Sequence, residues 1–144
     1  MTDHAELDGH DQLAALVAAD IRPPIHETLD IVLVELERGR VVFEGSPSGK
    51  VYNPIGSVQG GYAATLLGSA CGAAVHSSLP VGQGFTTLEL KVSYHRALSE
   101  ASGPVRAEGK MISLGRRAAF SEARLLDAQG RLCASATSTL LISR

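Results

Sequence analysis

Residues 53–78 read NPIGSVQGGYAATLLGSACGAAVHSS, and the fold turns on what this stretch becomes. Two adjacent glycines, Gly60 and Gly61, precede a run of small and apolar residues, and no charged side chain stands between Gly60 and Ser78. The pattern predicts a helix from about Gly60 to His76. With Ala63, Ala64, Gly68, Ala70 and Gly72 along it, this helix can be approached very closely from every side, which suits burial inside a curved sheet. A surface helix would carry larger and more charged residues. The glycine pair has two readings. It can be a close-packed helix entry, or it can let a ligand reach the backbone, since a helix start offers unpaired N–H groups and a partial positive charge.

The flanks on both sides read as strands. Upstream, LDIVLVELERGRVVFEG (29–45) is two apolar runs joined at Arg38-Gly39, a hairpin signal, and SPSGKVYNPIG (46–56) is a loop. Downstream come FTTLELKVSYHRAL (85–98), GPVRAEGKMISLG (103–115) and RRAAFSEARLLDAQGRLCASATSTLLIS (116–143), the last divided at Ala128-Gln129-Gly130. Within it Ala119, Ser121, Ala123 and Leu125 alternate with Phe120, Glu122, Arg124 and Leu126, as on a half-buried strand. These segments are expected to form an antiparallel meander. A short amphipathic helix is expected over residues 11–20, stopped by Pro23 and Pro24. The fold class is therefore α+β, one central helix against a long antiparallel sheet, in a single domain over 1–144 with residues 1–24 as an N-terminal helical extension.

Composition narrows the function by exclusion. The 144 residues are 44% hydrophobic and 19% charged, with a net charge of −2, which suits a globular domain and gives no electrostatic reason to expect nucleic acid or an anionic membrane. Cys71 and Cys133 are far apart without metal-ligand spacing, and read as reduced core thiols in a cytoplasmic protein. The polar start MTDHAELDGHD lacks a signal-peptide pattern. The five histidines show no metal-ligand spacing, and no phosphate-binding glycine loop is present.

The stretch 53–79 followed by FTTLELKVSYHRAL resembles the hotdog-fold acyl-CoA thioesterases of the phenylacetate-pathway type, over roughly Leu29 to Ile142. The resemblance implies a long helix wrapped by an antiparallel sheet, a thioester ligand, and a homodimer or homotetramer with sites between subunits. It implies that Asn53 helps hold the attacking water, that Gly60 gives its N–H to the thioester oxygen with Gly61 beside it, and that Thr87 stands near the water. No cofactor is implied, because coenzyme A enters as part of the substrate, and no metal.

Two positions depart from that family's pattern. Gln59 stands where a His is usual, and Gly68 stands where the helix usually carries an Asp or Glu. Gln59 is either inert or orients the ligand carbonyl or Asn53. Glu89 is the nearest replacement carboxylate, sharing a strand face with Thr87 if the two-residue period holds, or else facing solvent. Arg116, Arg117 and Arg96 are candidates for the phosphates of coenzyme A, or solvated strand-end charges. Thr65 and Ser69 read as helix hydroxyls that pack or back-bond to the preceding turn, Tyr94 and His95 as structural, and His76 as a capped or interface histidine. The expected activity is hydrolysis of an acyl-CoA. The alternative is a protein that binds acyl-CoA or acyl-carrier thioesters without efficient hydrolysis. A hydratase or dehydratase ranks last, since its His and carboxylate are missing.

Overall fold

The computed structural model describes residues 6–144. The chain opens with helix α1 (Gly9–Ala18), whose N-terminus is capped by the Asp8 carboxylate accepting from Asp11 N–H. Pro23 and Pro24 do more than stop it. Pro24 starts a second helix, α2 (Pro24–Leu29), ended by Asp30 in the left-handed conformation at φ 57°. Proline fits the first helical position because its missing N–H would have no partner there. The predicted hairpin follows as β1 (Ile31–Glu37) and β2 (Arg40–Gly45), turning at Gly39 with φ +83°. The small-residue run is helix α3 (Gly60–His76), and β3 (Gly84–Tyr94), β4 (Val105–Leu114), β5 (Ala118–Leu126) and β6 (Leu132–Ser143) complete the chain. Among the described residues no helix is long and apolar enough to cross a membrane.

All six strands form one antiparallel sheet in the order β1-β2-β4-β5-β6-β3. This corrects the expected meander. Strands β4, β5 and β6 do run as one, but β3 lies at the far edge beside β6, and β4 returns to pair with β2. Only long-range pairing settles that order. The β5 alternation holds as read, with Ala119, Ser121, Ala123 and Leu125 buried and Phe120, Glu122 and Arg124 exposed.

Helix α3 lies in the hollow of the sheet, where Leu66, Leu67, Ala70, Cys71, Ala74 and Val75 are fully buried. Its packing against the sheet is closest at Gly109 of β4, where an added Cβ would stand 2.2 Å from the Ala70 carbonyl oxygen and 2.5 Å from its carbon. Both neighbours are backbone and cannot turn aside. Gly109→Ala is expected to cost about 3 kcal/mol, the upper end for overpacking a core, and to lower Tm by about 10 °C. Calorimetry of the variant checks this, and an unchanged Tm contradicts the close approach.

The β5–β6 turn holds a buried carboxylate. Asp127, 5% exposed, accepts from Gln129 N–H, Arg131 N–H and Arg131 Nε. Burial pushes this carboxyl up, but the Arg131 and Gln129 donors outweigh it and hold it below the usual carboxylate range. Its contribution to stability is therefore present above the unfolded-state value and lost as pH falls through the lower folded-state one. Asp127→Asn is expected to lower Tm at pH 6 and to flatten its fall between pH 6 and pH 3. Thermal melts across that range decide it, and an equally steep fall in the variant overturns the assignment.

Candidate active site

The chain enters α3 through a tightly bonded loop. Asn53 Oδ1 accepts from the N–H groups of Ile55 and Ser57, and its Nδ2 donates to Ser57 Oγ at 3.2 Å. Its carboxamide thus shapes the 53–57 turn and keeps one N–H for another partner. Gln59 is extended at φ −59° and ψ 135° in the cap position, with its side chain exposed and forming no cap bond. Its own N–H donates to the Val51 carbonyl at 2.8 Å. The N–H groups of Gly60 and Gly61 have no acceptor among the described residues, as the first turn of a helix requires.

The two glycines have different reasons. The Tyr94 hydroxyl donates to the Gly60 carbonyl at 2.7 Å, and an added Cβ on Gly60 would meet Tyr94 Oη at 3.1 Å and Cζ at 3.2 Å. What lies against the Gly60 α-carbon is therefore the Tyr94 phenol, which pins the first turn of the helix. Tyr94, read from the sequence as merely structural, belongs to the site. An added Cβ on Gly61 would meet nothing closer than Gln59 Cγ at 3.9 Å, so that side is open. Two clefts flank the helix start. One of about 330 Å³ is lined by Gln59, Gly60, Tyr94, Arg96, Leu98 and Cys133 among others. One of about 380 Å³ is bounded by Leu29, Lys50, Tyr52, Gln59, Gly61 and Thr65.

Strand β3 runs back along α3 and uses its glycines. Tyr94 meets Gly60, Leu90 Cδ2 stands 3.1 Å from an added Cβ on Gly68, and Phe85 Cε2 stands 3.1 Å from one on Gly72. A β-bulge between Thr87 and Glu89 interrupts the pairing with β6. Thr87 stands opposite the buried Leu140, on the helix side of the sheet, while Glu89 stands opposite Thr139 and sits 3.4 Å from its hydroxyl. One extra residue, Leu88, reverses the faces. The expected shared face of Thr87 and Glu89 is thereby corrected, and Glu89 points away from the helix.

The predicted residues fall into separate groups. Gln59, Gly60 and Gly61 come together with Tyr94 and Arg96 at the helix start. Gly68 is eight residues along α3, about 12 Å away. Thr87 is seven strand residues from Tyr94, about 23 Å. Arg116 and Arg117 form the β4–β5 turn, beside the Ala118–Leu141 and Thr86–Leu141 pairs at the other end of the sheet. That is roughly 27 Å from the Gly60 cleft by strand rise. Within one chain these arginines stand apart from that cleft, whereas Arg96 lines it.

One pairing escaped the sequence. His26 of α2 is 9% exposed, and its Nε2 lies 2.8 Å from Ser69 Oγ. Its ring meets Phe43 edge-on at 5.0 Å. Burial, and after it the charge of Arg22, pushes this imidazole down from its ordinary value. Thr65 back-bonds to the Gly61 carbonyl as expected, but Ser69 pairs with the histidine instead. His76 Nε2 meets Gln12 Oε1 at 2.9 Å and ties α1 to the end of α3, and His95 Nε2 meets Ser135 Oγ at 2.9 Å. Ligand atoms of Asp8, His10 and Asp11 lie within 4.8 Å of one another, but Asp8 already caps α1 and pairs with Arg38 at 2.9 Å.

Comparison with known proteins agrees with this architecture. A family model described as thioesterase superfamily matches residues 55–134, more than half of the chain. The proofreading thioesterase EntH of Klebsiella pneumoniae subsp. pneumoniae is 33% identical over 124 residues, covering 84% of this chain and 86% of that one. The 1,4-dihydroxy-2-naphthoyl-CoA hydrolase of Listeria monocytogenes serotype 1/2a is 23% identical over 120 residues, 83% of this chain and 96% of its own. Among solved structures, the PaaI protein from the phenylacetic acid degradation operon of E. coli superposes with a TM-score of 0.81 at 14% identity, covering 94% of each chain.

Proposed function

The chain belongs to the thioesterase superfamily and is a thioester hydrolase with the hotdog fold, and from that premise we propose that it cleaves an acyl-CoA to the free acid and CoA. The observation that carries this is the pair of unpartnered N–H groups, Gly60 and Gly61, opening onto clefts at the start of a 17-residue helix. A thioester carbonyl placed there gains donors for the oxyanion that develops as a nucleophile adds, and each such donor is commonly worth about 3 kcal/mol of barrier. Gln59, exposed at the cap position, is placed to orient the same carbonyl. The remaining N–H of Asn53 is available to a water, and Arg96 offers a cation beside the cleft for a phosphate.

Gly68 in the middle of α3 and Thr87 on β3 lie too far from Gly60 to act on one carbonyl within a chain. A site using both needs two subunits. Among the described residues strand β3 has a partner on one edge only, and Leu88 on it is 60% exposed. An unpaired edge of this kind is a template for another strand. Antiparallel pairing of β3 with its copy would set the start of one α3 toward the middle of the other, and would carry Thr87, Arg116 and Arg117 of one subunit toward the Gly60 cleft of its neighbour. We take the working unit to be such a homodimer, alone or doubled into a tetramer. The Listeria relative's name specifies an aromatic acyl group, and the small residues Gly68 and Ala64 suit a bulky one.

The test is thiol release, followed with Ellman's reagent, on aromatic and medium-chain acyl-CoAs and an acyl-carrier thioester, with sedimentation run in parallel. Turnover on a CoA thioester by a sedimenting dimer or tetramer is expected. Release from the carrier thioester alone would move the substrate class. Silence on the whole panel with retained acyl-CoA binding would support the binding reading that Gly68 favours, because no carboxylate stands anywhere on α3.

A further inference from the structure

Helix α3 carries no acid, so the thioester must be attacked with the help of something else. The half-buried hydroxyl of Ser69 follows Gly68 directly in the chain, about 3.8 Å away between α-carbons, and continues the open Gly61-Thr65 row at the four-residue spacing by which side chains share a helix face. Among the described residues this hydroxyl meets His26 Nε2, at 2.8 Å. A histidine within hydrogen-bond reach of a hydroxyl is the arrangement that activates a nucleophile.

His26 is also held in place. Phe43 meets its ring edge-on at 5.0 Å. Its helix is secured by the His26 N–H bond to the Pro23 carbonyl and by Arg22, which reaches both Asp30 and the Ile31 carbonyl. Among the described residues His26 is the one buried histidine that faces a hydroxyl. Its other face borders an apolar cleft with Leu13, Leu16, Ile21 and Phe43. Burial and, after it, the charge of Arg22 disfavour the protonated imidazole, which leaves a nitrogen lone pair on hand for the serine proton.

We propose that Ser69 is the nucleophile of this thioesterase and His26 its base, a pair that stands in for the missing helix carboxylate. Ser69 Oγ adds to the thioester carbonyl carbon while its proton passes to His26 Nε2. The oxyanion is met by the Gly60 N–H of the second copy, so this step rests on the two-subunit site proposed above. The C–S bond then breaks, the thiolate takes the proton from His26, and the acyl group is left as an ester on Ser69. A water molecule, deprotonated by His26, hydrolyses that ester and restores the serine.

Two readouts test the pair, one of them independent of the acyl substrate. The native protein and the His26→Gln variant are treated with diisopropyl fluorophosphate, whose phosphorus takes the serine oxygen as fluoride leaves, and the peptide containing residue 69 is weighed. Phosphorylation of Ser69 in the native protein, lost in His26→Gln at unchanged Tm, is expected. Unmodified Ser69 in the folded native protein overturns the proposal whatever the acyl-CoA panel shows. On an active acyl-CoA, Ser69→Ala is expected to lower kcat by about 10²-fold or more, the scale for losing a group that moves the proton. Rapid quenching of the native enzyme should catch an acyl mass on the same peptide. Turnover by Ser69→Ala within about twofold of native, at matched Tm, also overturns it.

Discussion

Gly60→Pro is expected to lower kcat on a CoA thioester by about 10²- to 10³-fold, the cost of one oxyanion donor, while leaving the helix in place. The substitution is unusually clean at this position. Proline is at home at the first residue of a helix, and it demands an extended residue before it, which Gln59 already is at ψ 135°. The change removes one N–H and adds a ring on the side of the Tyr94 phenol, 3.1 Å from where a Cβ would stand. Tyr94→Phe supplies the control. It takes away the hydroxyl at the point of contact and the bond to the Gly60 carbonyl, but keeps both glycine N–H groups, so it should cost far less in kcat than Gly60→Pro. Steady-state kinetics of the two variants and of the double variant separate donor loss from displaced packing. Equal losses in all three would mean that Gly60 serves the phenol and not the substrate.

The two roles of that glycine show where the sequence is legible and where it stops. Helix α3 was readable from Gly60 to His76 because nothing else fits an uninterrupted small-residue run closed by SSLP, and β5 was readable because its alternation is regular. These are local patterns. The placement of β3 at the far edge is not local, since it depends on β2 choosing β4 and β6 choosing β3 over partners nearer in sequence. Likewise the bulge at Leu88 leaves no mark in FTTLELKV, yet it turns Glu89 to the face opposite Thr87. A period-two argument is only as good as the register it assumes. The pair His26 and Ser69 spans 43 residues, and one member sits on a six-residue helix hidden behind two prolines. Sequence chemistry identified Gly68 as a position without a carboxylate. Only the fold brings Ser69, the next residue along, within 2.8 Å of His26.

Gly68→Asp, made in the Ser69→Ala background, is expected to raise kcat by about 10²-fold or more over Ser69→Ala alone, the scale on which a positioned base assists attack by water. The position can take the side chain. One neighbour stands within 4 Å of an added Cβ, the Leu90 Cδ2 methyl at 3.1 Å, and it is the end of a flexible side chain on an edge strand. Replacing glycine inside a helix also recovers a few tenths of a kcal/mol of helix propensity, which offsets the shift of Leu90, so Tm should hardly move. The carboxylate acts only when ionised, so the regained activity should vanish as pH falls through its titration. That activity should also survive His26→Gln, because water rather than Ser69 is then the attacking group. Activity that returns but still needs His26 would assign the histidine to the water itself, and no return at any pH would remove the middle of α3 from the reacting centre. The contrast is informative because both routes would use the same oxyanion donors at the helix start. They differ only in which atom adds to the carbonyl carbon, the serine oxygen beside His26 or a water activated one residue earlier on the helix.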